Sequence, residues 1–362
     1  MNDFFEIDFL DVETAKSGDA IPLRYQVNGI TSIHVVDGGF QDTGKKVVEH
    51  IRQFYDNPAF IHRVIVSHPD GDHAGGLRSV LEEFRVGELW MLRPWIFANE
   101  IISRFSNFSS IENLRRRLRE IYPNIAALEQ IALDRGIPIY EPFQGAVLGA
   151  FTILAPTRKR YLDLIVSSER TPESIAAAQQ PATTILTSFL QETVTKAILL
   201  LKAAWGVEAF SPEETSAENE MSTVQYANIC GQRIVLTADA GRAALTEAAD
   251  YAPCVGLQLP GITKFQVPHH GSRRNVSTEI LDRWLGSPLP VKPQPGQETF
   301  TAVISSAKTD EDHPRKAVVR AFIHRGAIVV TTEGKTICLN QNRPRTGWVP
   351  APIEDYPDEQ EK

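Results

Sequence analysis

The stretch that decides the fold covers residues 64–77 and reads V-I-V-S-H-P-D-G-D-H-A-G-G-L. Its first three residues form a continuous apolar run, which is typical of a buried strand. Side chains of the kinds that bind metal ions follow this run closely: His68, Asp70, Asp72 and His73. Two glycines then lead into a helical pattern. The sequence therefore predicts a metal site at the end of a strand, at the rim of a sheet.

The composition is that of a globular chain with a large core, since 42% of its 362 residues are hydrophobic. The beginning, M-N-D-F-F-E-I-D, lacks the basic and apolar regions of a secretory signal, and charges interrupt every stretch of membrane-spanning length. The scattered cysteines, Cys230, Cys254 and Cys338, form no C-x-x-C pair and are interpreted as reduced thiols. We predict a cytoplasmic protein without membrane insertion. The net charge of −8 argues against non-specific coating of nucleic acid but leaves a nuclease open.

Alternating strand and helix patterns indicate an α/β layer fold. In the first part of the chain, the pattern predicts strands at 4–12, 21–27 and 30–36, a helix at 45–55, and a strand at 61–66. A long helical region is predicted from about 100 to 135. The last two strands, 328–332 and 336–339, are predicted to pair as a hairpin. Because the two halves of the chain have a similar texture, we expect two facing sheets.

The predicted domain organisation is a single domain over residues 1–350, followed by an acidic, disordered tail at 351–362. Residues 171–218 are interpreted as a helical insertion, because the middle has helical apolar spacing and the end has linker composition. We expect the insertion to pack on the host domain as core or lid. An interface to a second copy of the chain, or to another protein partner, is the alternative.

The H-P-D-G-D-H segment can face two metal ions. His68 and Asp70 are two residues apart, so an extended segment places both side chains on one side. Asp72 and His73 lie beyond the following turn, where they can face a second ion. Histidine nitrogen and carboxylate oxygen suit Zn²⁺, and also Mn²⁺ or Fe²⁺. The alternative is a solvated polar loop with an Asp that caps the next helix. The density of ligand types and the two glycines favour the metal site.

The pattern H-x-D-x-D-H-x-G-G resembles the signature of the metallo-β-lactamase superfamily. With Asp at the second usual histidine position, it resembles the soluble hydrolase domain of ComEC-type DNA-uptake proteins. Further motifs resemble that branch in the same order, at residues 9–12 with 18–20, 37–39, 236–239, 267–272, 305–306 and 313–314. The resemblance covers about residues 5–340 without the insertion. It implies an αββα sandwich of two facing mixed sheets, with helices outside and metal ions at one edge.

By motif position, the resemblance implies a set of metal ligands that comprises His68, Asp70, Asp72, His73, Asp239 and His270. His68, Asp70 and Asp239 would hold one ion. Asp72, His73 and His270 would hold a second ion together with Asp239, which would bridge the two ions. His270 is preferred to His269 because the last histidine of the superfamily also precedes a glycine, and His269 would then face the substrate.

One departure from the superfamily concerns the first ion. Most members supply a further histidine to it from a loop between the Asp-His motif and the bridging Asp. This chain has nine histidines, and none lies between residues 74 and 268. The ComEC-type branch has N-x-x-S near this point, which Asn219 and Ser222 match. We therefore expect a lean first site, rich in carboxylates, with weaker affinity and a preference for Mn²⁺ over Zn²⁺.

The predicted centre suits an anionic ester. Two divalent ions, three carboxylates and a metal-bound hydroxide give a nearly neutral centre that can accept such a substrate. Ser272, Arg273 and Arg274 directly follow the last ligand and are candidates for binding phosphate. The candidate catalytic residues are Asp72, His269 and His313, the last as general acid or as a residue that holds phosphate.

The predicted function is a metal-dependent phosphodiesterase or nuclease that uses two ions, Zn²⁺ or Mn²⁺. Its substrate would be DNA, RNA or a smaller phosphodiester. A hydrolase of a carboxylic ester, lactone or thioester is the first alternative, because this scaffold also carries such activities. A non-catalytic metal-binding module of a larger assembly is the second.

Overall fold

The computed structural model describes residues 2–171 and 204–360. The strands of these ranges are β1 (Phe4–Phe9), β2 (Ala20–Val27), β3 (Ile30–Gly38), β4 (Phe60–Ile65), β5 (Arg85–Trp90), β6 (Ile139–Tyr140), β7 (Val147–Leu148), β8 (Phe151–Ala155), β9 (Val224–Ile229), β10 (Gln232–Leu236), β11 (Lys264–Gln266), β12 (Phe300–Ile304), β13 (Ala327–Thr331) and β14 (Ile337–Gln341). They form two seven-stranded sheets, ordered β14-β1-β2-β3-β4-β5-β6 and β13-β12-β11-β10-β9-β8-β7.

The helices of the same ranges are α1 (Gly44–Phe54), α2 (Gly71–Ala74), α3 (Leu77–Glu83), α4 (Ala98–Ile101), α5 (Ile111–Ile121), α6 (Pro123–Asp134), α7 (Arg158–Ser167), α8 (Ala217–Glu220), α9 (Arg242–Tyr251), α10 (Thr278–Leu285) and α11 (Lys316–His324). No helix in the described ranges is long and apolar enough to cross a membrane.

Both sheets are mixed, and their parallel parts create the edge that holds the candidate site. In the first sheet, β3, β4 and β5 run parallel, next to an antiparallel meander of β1 to β3. In the second sheet, β10 to β13 run parallel, and β8, β9 and β10 are antiparallel. The carboxyl ends of neighbouring parallel strands lie at one edge of a sheet, which is where α/β proteins place their ligands.

The core has three layers, as the strand pattern of β4 illustrates. Val64 packs outward beneath the helices of the first half, whereas its neighbour Ile65 packs between the two sheets. Each such side chain contributes about 1.5–3 kcal/mol when fully buried. A third layer lies under α9, α10 and α11, where Phe265 and Trp284 are buried. The predicted αββα sandwich is therefore confirmed.

The long helical region predicted from about 100 to 135 consists of several helices in the structure. Tyr122 separates α5 from α6, with φ −117° and ψ 65°, and is followed by Pro123. Proline disfavours the helical conformation in the residue that precedes it. The apolar periodicity runs through this break, so it predicts the helical region but not the place where the two helices separate.

The final hairpin, predicted from the strands at 328–332 and 336–339, is wrong. The strands β13 and β14 follow each other in the chain but lie in different sheets: β13 pairs with β12, and β14 pairs with β1. Both strands turn apolar side chains into the layer between the sheets, among them Val330 and Ile337. The short link between them therefore crosses from one sheet to the other.

The sequence predicts that residues 351–362 form a disordered tail, but up to residue 360 the structure places this segment against the domain. Gln360 is buried, and its amide bonds Ala209 N at 2.7 Å and Val207 O at 3.0 Å. Arg320 donates to Pro357 O at 2.7 Å. Of the predicted insertion, residues 172–203 lie outside the described residues. Trp205 packs against Tyr356 of the tail, whereas Glu218 accepts from Tyr122, on the side of the candidate metal site.

Candidate metal centre

The candidate metal centre is assembled from strand ends of both sheets. His68 follows β4, and Asp72 and His73 lie in the short helix α2 just beyond it. Asp239 follows β10, and His270 follows the neighbouring parallel strand β11. Thr223 N, just before β9, donates to Ser67 O, just after β4, at 3.1 Å. This hydrogen bond links the two sheets next to the site.

The two glycines of the central motif allow this assembly. A Cβ atom on Gly76 would lie 2.0 Å from Gly38 O, and one on Gly75 would lie 2.5 Å from Gly71 O. Gly76 N donates to Gly39 O at 2.9 Å. The turn between α2 and α3 is thus pressed against the end of β3, at a distance that only glycine permits.

A compact set of ligand atoms lies on one side of Asp239. Ligand atoms of Asp72, His73, Asp239 and His270 all lie within 4.8 Å of one another. His73 Nε2 is 3.2 Å and His270 Nε2 is 3.7 Å from Asp239 Oδ1. His270 Nε2 is also 3.7 Å from Asp72 Oδ2. The structure brings together the residues that were predicted to hold the second ion.

Several polar atoms of this site are buried without a hydrogen-bond partner, namely His68 Nε2, His73 Nε2, His270 Nε2 and Asp239 Oδ1. An unsatisfied buried polar group costs about 1–3 kcal/mol. Here the atoms face one another, and each can donate an electron pair to a cation. The residues therefore fit a divalent metal ion, which would satisfy them together.

Hydrogen bonds on the far side of each ring set the tautomers. His73 Nδ1 donates to Asp37 Oδ2 at 2.9 Å, and His270 Nδ1 donates to Ser305 O at 2.8 Å. Ser67 Oγ donates to Asp37 Oδ2 at 2.5 Å and accepts from His68 Nδ1 at 3.0 Å. Each ring therefore keeps its Nε2 lone pair for the centre, as metal-binding histidines do.

Without a metal, protons take the place of the cation. Burial lowers the pKa of His73, but the charges of Asp239 and Asp72 raise it overall well above its ordinary value. Burial also lowers the pKa of His270, and Asp239 and Asp72 raise it to about 9. Burial raises the pKa of Asp72, whereas His73 lowers it to about 2. The carboxylates are therefore ionised at neutral pH, and binding of a cation would release protons from the histidines.

The ligand atoms around the other oxygen of Asp239, Oδ2, are less closely grouped. His68 Nε2 lies 3.7 Å from Asp239 Oδ2 and 4.0 Å from Asp70 Oδ2. Both oxygens of Asp70 also accept from Arg170, at 2.6 Å and 3.0 Å. The predicted ligand Asp70 is thus at the centre, but its carboxylate is paired with an arginine.

His269 lies at the centre, and its predicted role of facing the substrate stays a prediction. Its Nε2 lies 3.6 Å from Asp239 Oδ2, the oxygen that His68 also approaches. His269 and His270 both have left-handed backbone conformations, with φ 47° and φ 54°. These conformations, unusual outside glycine, direct the two rings to different oxygens of Asp239.

The predicted substrate-binding residues closely follow His270 in the chain and differ in their exposure to solvent. Arg274 is exposed and pairs with Glu213. Ser272 is buried, and its Oγ accepts from Arg274 N at 3.3 Å. Arg273 is half-buried next to it.

His313 lies beside the centre, with its ring centroid 5.4 Å from that of His269 and 6.0 Å from that of His270. Its Nδ1 bonds Asp310 Oδ2 at 3.2 Å. Burial, together with the charges of His270 and His269, lowers the pKa of His313 to about 4, although Asp310 opposes this. Without a metal ion the ring is therefore neutral at neutral pH, and its predicted role as general acid stays a prediction.

A cavity of about 280 Å³ opens next to the centre and is lined in part by Asp70, Asp72, Tyr122, Asn124 and Arg170. Sequence reasoning missed Arg170, because the surrounding S-S-E-R-T-P carries no motif. It also missed Asn275, which bonds His269, although Asn275 stands only six residues further on.

Residues 32–106 match the family model of the metallo-beta-lactamase superfamily. The matched segment extends from β3 through α4 and contains the H-P-D-G-D-H motif, whereas Asp239 and His270 lie outside it. The resemblance to the superfamily is confirmed over this segment, and the ComEC-type branch stays a prediction. No curated protein sequence matches the chain.

Solved structures with similarity to this chain include AidC, a dizinc quorum-quenching lactonase, with 12% identity, a TM-score of 0.30, and coverage of 61% of this chain and 56% of that one. The hydrolase AbOPH, of the beta-lactamase superfamily, has 8% identity, a TM-score of 0.29 and the same coverages. A mutant of CmlA beta-hydroxylase has 11% identity and a TM-score of 0.40, with coverage of 93% and 54%. The chain spans little more than half the length of each of these proteins.

Proposed function

We propose that this chain is a hydrolase that holds two divalent ions, Zn²⁺ or Mn²⁺, and cleaves phosphodiesters. The observation that carries this proposal is the set of buried, unpartnered atoms that converge on Asp239. Asp72, His73, His270 and one oxygen of Asp239 would hold one ion. His68 and the other oxygen of Asp239 would contribute to the second.

The ions and the protein have separate tasks. When bound, two divalent ions lower the pKa of water and stabilise the attacking and leaving oxygens of a phosphoryl displacement. The protein fixes the geometry, because Asp37 and Ser67 hold the rings of His73 and His68. His313 is neutral near pH 7, since its pKa is lowered to about 4, and its Nδ1 donates to Asp310, so its Nε2 lone pair can accept a hydrogen bond.

Charge favours an anionic substrate over a neutral ester. Two divalent cations carry twice the charge of the carboxylates of Asp72 and Asp239. Asp70 adds little negative charge to this balance, because Arg170 pairs with both of its oxygens. With a metal-bound hydroxide included, the net charge is about +1, which supports binding of a phosphodiester in the adjoining cavity, where the side chain of Arg170 is 43% exposed.

The test is an activity assay on protein that has been stripped by a chelator and reloaded with Zn²⁺ or Mn²⁺. The substrates are single-stranded DNA, duplex DNA, RNA, bis-p-nitrophenyl phosphate, a lactone and a thioester. Asp72→Ala is compared with Asp250→Asn, which changes an exposed aspartate paired with Arg283. We expect wild type and Asp250→Asn to cleave at least one phosphodiester and Asp72→Ala to be inactive.

Two results would contradict the proposal. Turnover of the lactone or thioester, with every phosphodiester untouched, would assign the site to carboxylic esters. Inactivity of the loaded wild type on all substrates would favour a non-catalytic metal-binding module.

A further inference from the structure

The cavity beside the candidate metal centre lies between the loop after β4 and the junction of α5 with α6. Its walls combine an amide, a guanidinium, two carboxylates and several apolar side chains. We infer that this cavity is a subsite for a second phosphate group of the substrate, which Arg170 and Asn124 bind. The substrate is then a chain of consecutive phosphodiesters, as in a strand of nucleic acid. The inference rests on the proposed function, because the first phosphate is the one that the centre cleaves.

Arg170 is fixed at the wall of this cavity. Its Nη1 and Nη2 donate to the two oxygens of Asp70 at 2.6 Å and 3.0 Å, and its Nε lies 3.8 Å from Glu218 Oε1. Its backbone N donates to Ser168 Oγ at 3.0 Å. A guanidinium that is already held in one orientation loses little conformational freedom when it binds a ligand, so its hydrogen bonds to that ligand count in full.

The guanidinium of Arg170 keeps donors for a ligand. An arginine side chain has five N–H donors. Two of these bond Asp70, and the one on Nε faces Glu218. The two others, one on each Nη, have no hydrogen-bond partner within residues 2–171 and 204–360. Because the side chain is 43% exposed and lines the cavity, these donors are accessible to the oxygens of an anion.

Asn124 supplies further donors to the same cavity. Arg78 Nη2 donates to Asn124 Oδ1 at 3.2 Å, which sets the orientation of the amide. The Nδ2 atom therefore points the other way, towards Gly71, where it lies 3.1 Å from the place of a Cβ atom on that residue. Gly71 and Asn124 both line the cavity. Among the described residues, Asn124 Nδ2 has no acceptor, so it too can donate to a bound phosphate.

The carboxylates next to Arg170 leave room for an anion. Glu218 is buried, accepts from the hydroxyls of Tyr122 and Ser168, and is not part of the cavity lining. Both oxygens of Asp70 are already bonded to Arg170. A ligand in the cavity therefore meets the free donors of Arg170 and Asn124, and these suit the oxygens of a phosphate better than a neutral group.

The distance from the centre suits the neighbouring phosphate of one strand. His68 Nε2 lies 4.0 Å from Asp70 Oδ2, and this oxygen lies 3.0 Å from Arg170 Nη2, so the guanidinium is at most about 7 Å from a predicted ligand atom. A nucleic acid strand carries one phosphate per about 3.4 Å of its axis, so consecutive phosphates lie within this reach. The apolar walls, Phe40 and Pro123 among them, can contact the sugar or base between the phosphates.

The test compares dinucleotides on protein loaded with Zn²⁺ or Mn²⁺. The substrates are a dithymidine dinucleotide without a terminal phosphate, the same dinucleotide with a 5′-phosphate, and the same with a 3′-phosphate. The readout is the ratio of kcat/KM between each phosphorylated form and the bare form. Wild type is expected to prefer one phosphorylated form by about tenfold or more, the effect of a charge-assisted hydrogen bond. In Arg170→Ala this ratio is expected to fall to near unity.

The ratio separates substrate binding from metal binding. Arg170→Ala also releases Asp70 towards the ion beside His68, which we expect to be the weaker class of the two ions. Because both substrates of a ratio are cleaved by the same protein, a change in metal loading cancels. Asn124→Ala is the second variant, with an expected ratio between those of wild type and Arg170→Ala, and it decides the outcome where Arg170→Ala is inactive. The control is Arg158→Ala, an exposed arginine paired with Glu100, which is expected to keep the ratio of wild type.

Failure of the inference and failure of the proposed function give different results. A ratio near unity in wild type, or an unchanged ratio in both Arg170→Ala and Asn124→Ala, would overturn the subsite alone. So would a wild type that cleaves bis-p-nitrophenyl phosphate but none of the dinucleotides. A loaded wild type that cleaves no phosphodiester at all would overturn the proposed function, and the subsite with it.

Discussion

Two buried polar clusters of this protein use similar residues for different ends. One is the candidate metal centre, which we propose to hold two ions. The other, which we call the β1 ion network, lies on the strands β1 and β2 and their surroundings and comprises Glu6, Asp8, Arg24, His50, Tyr55 and Arg345. Asp8 accepts hydrogen bonds from His50 at 2.9 Å, from Tyr55 at 2.6 Å, and from Arg345 at 2.9 Å and 2.6 Å.

The metal centre shows the opposite pattern. His68, His73 and His270 are as deeply buried as His50, but their Nε2 atoms have no hydrogen-bond partner. A buried charge with complete hydrogen bonding stabilises the fold, whereas buried atoms without partners indicate a ligand that they hold. Both clusters contain histidine and aspartate. They differ in whether the buried polar atoms have hydrogen-bond partners, and this difference separates the structural cluster from the candidate ligand site.

The largest expected effect is that of Asp239→Asn on metal binding. Asp239 contacts ligands on both sides of the centre, so its loss removes both ions. Zinc at about 1,000 times its Kd would stabilise wild type by about 4 kcal/mol. Asp239→Asn is expected to lose this increase in thermal stability, while Asp250→Asn keeps it. A zinc-dependent stabilisation of Asp239→Asn equal to that of wild type would remove Asp239 from the centre.

Asp8→Asn is expected to act on stability and leave the metal centre intact. The change leaves the buried guanidinium of Arg345 without its carboxylate partner at Asp8, although Glu6 remains. Breaking a buried ion pair costs about 3–5 kcal/mol. Urea unfolding of the stripped protein measures this loss, and the stabilisation by zinc is expected to stay as in wild type. A loss of zinc binding in Asp8→Asn would contradict a purely structural role of the β1 ion network.

Acid is expected to weaken the β1 ion network reversibly. Burial raises the pKa of Asp8, but the hydrogen bond from His50 and the charge of Arg345 outweigh it, so the pKa lies below its ordinary value of 3.8. The folded state then binds this proton less readily than the unfolded state. The contribution of Asp8 to the free energy of unfolding is therefore full above pH 3.8 and decreases as the pH falls below it.

Urea unfolding between pH 3 and pH 6 checks this dependence, with Asp8→Asn as the reference. The free energy difference between wild type and Asp8→Asn is expected to shrink towards the acid end. A difference that stays constant over this range would contradict a lowered pKa of Asp8.

Asp37→Asn is expected to weaken the stronger ion without removing it. Asp37 accepts from His73 Nδ1 and from Ser67, and its charge makes the ring of His73 a better ligand. Loss of such an outer partner costs about 10- to 100-fold in metal affinity. Competition with a chelator measures the change, and Asp42→Asn, an exposed aspartate, is the control. An affinity equal to that of wild type would show that Asp37 does not position His73.

Arg170→Ala is expected to have the smallest effect. It frees Asp70 to face the ion beside His68, and the arginine is 43% exposed. An exposed ion pair is worth up to about 1 kcal/mol, so zinc affinity of the weaker class is expected to rise up to about fivefold. Zinc titration measures the rise, with Arg158→Ala, an exposed arginine paired with Glu100, as the control. A fall in affinity would show that Arg170 supports the site rather than competing for Asp70.

The sequence predicts the strand layers and most of the centre because those signals are local. Apolar runs mark the strands to within a few residues, and the ligands stand directly after them, as His68 does after β4. The partners of β13 and β14 are not local, since each strand joins the sheet edge that its inner face fits. Alternation of side chains carries no information on that choice.

The details of the centre also depend on distant contacts. Arg170 pairs with Asp70 from 100 residues away, and no pattern links the two segments. The direction of His269 follows from a left-handed backbone and from the amide of Asn275, neither of which a motif encodes. The sequence therefore predicts which residues gather at the edge, and the fold decides which atoms they present.

The most direct test of the two-ion centre is anomalous diffraction from crystals of the zinc-loaded protein. We predict two zinc peaks that flank Asp239, one against Asp72, His73 and His270, and one against His68 and the other oxygen of Asp239. A map without a peak at Asp239, or with a single peak on one side at saturating zinc, would contradict the two-ion centre.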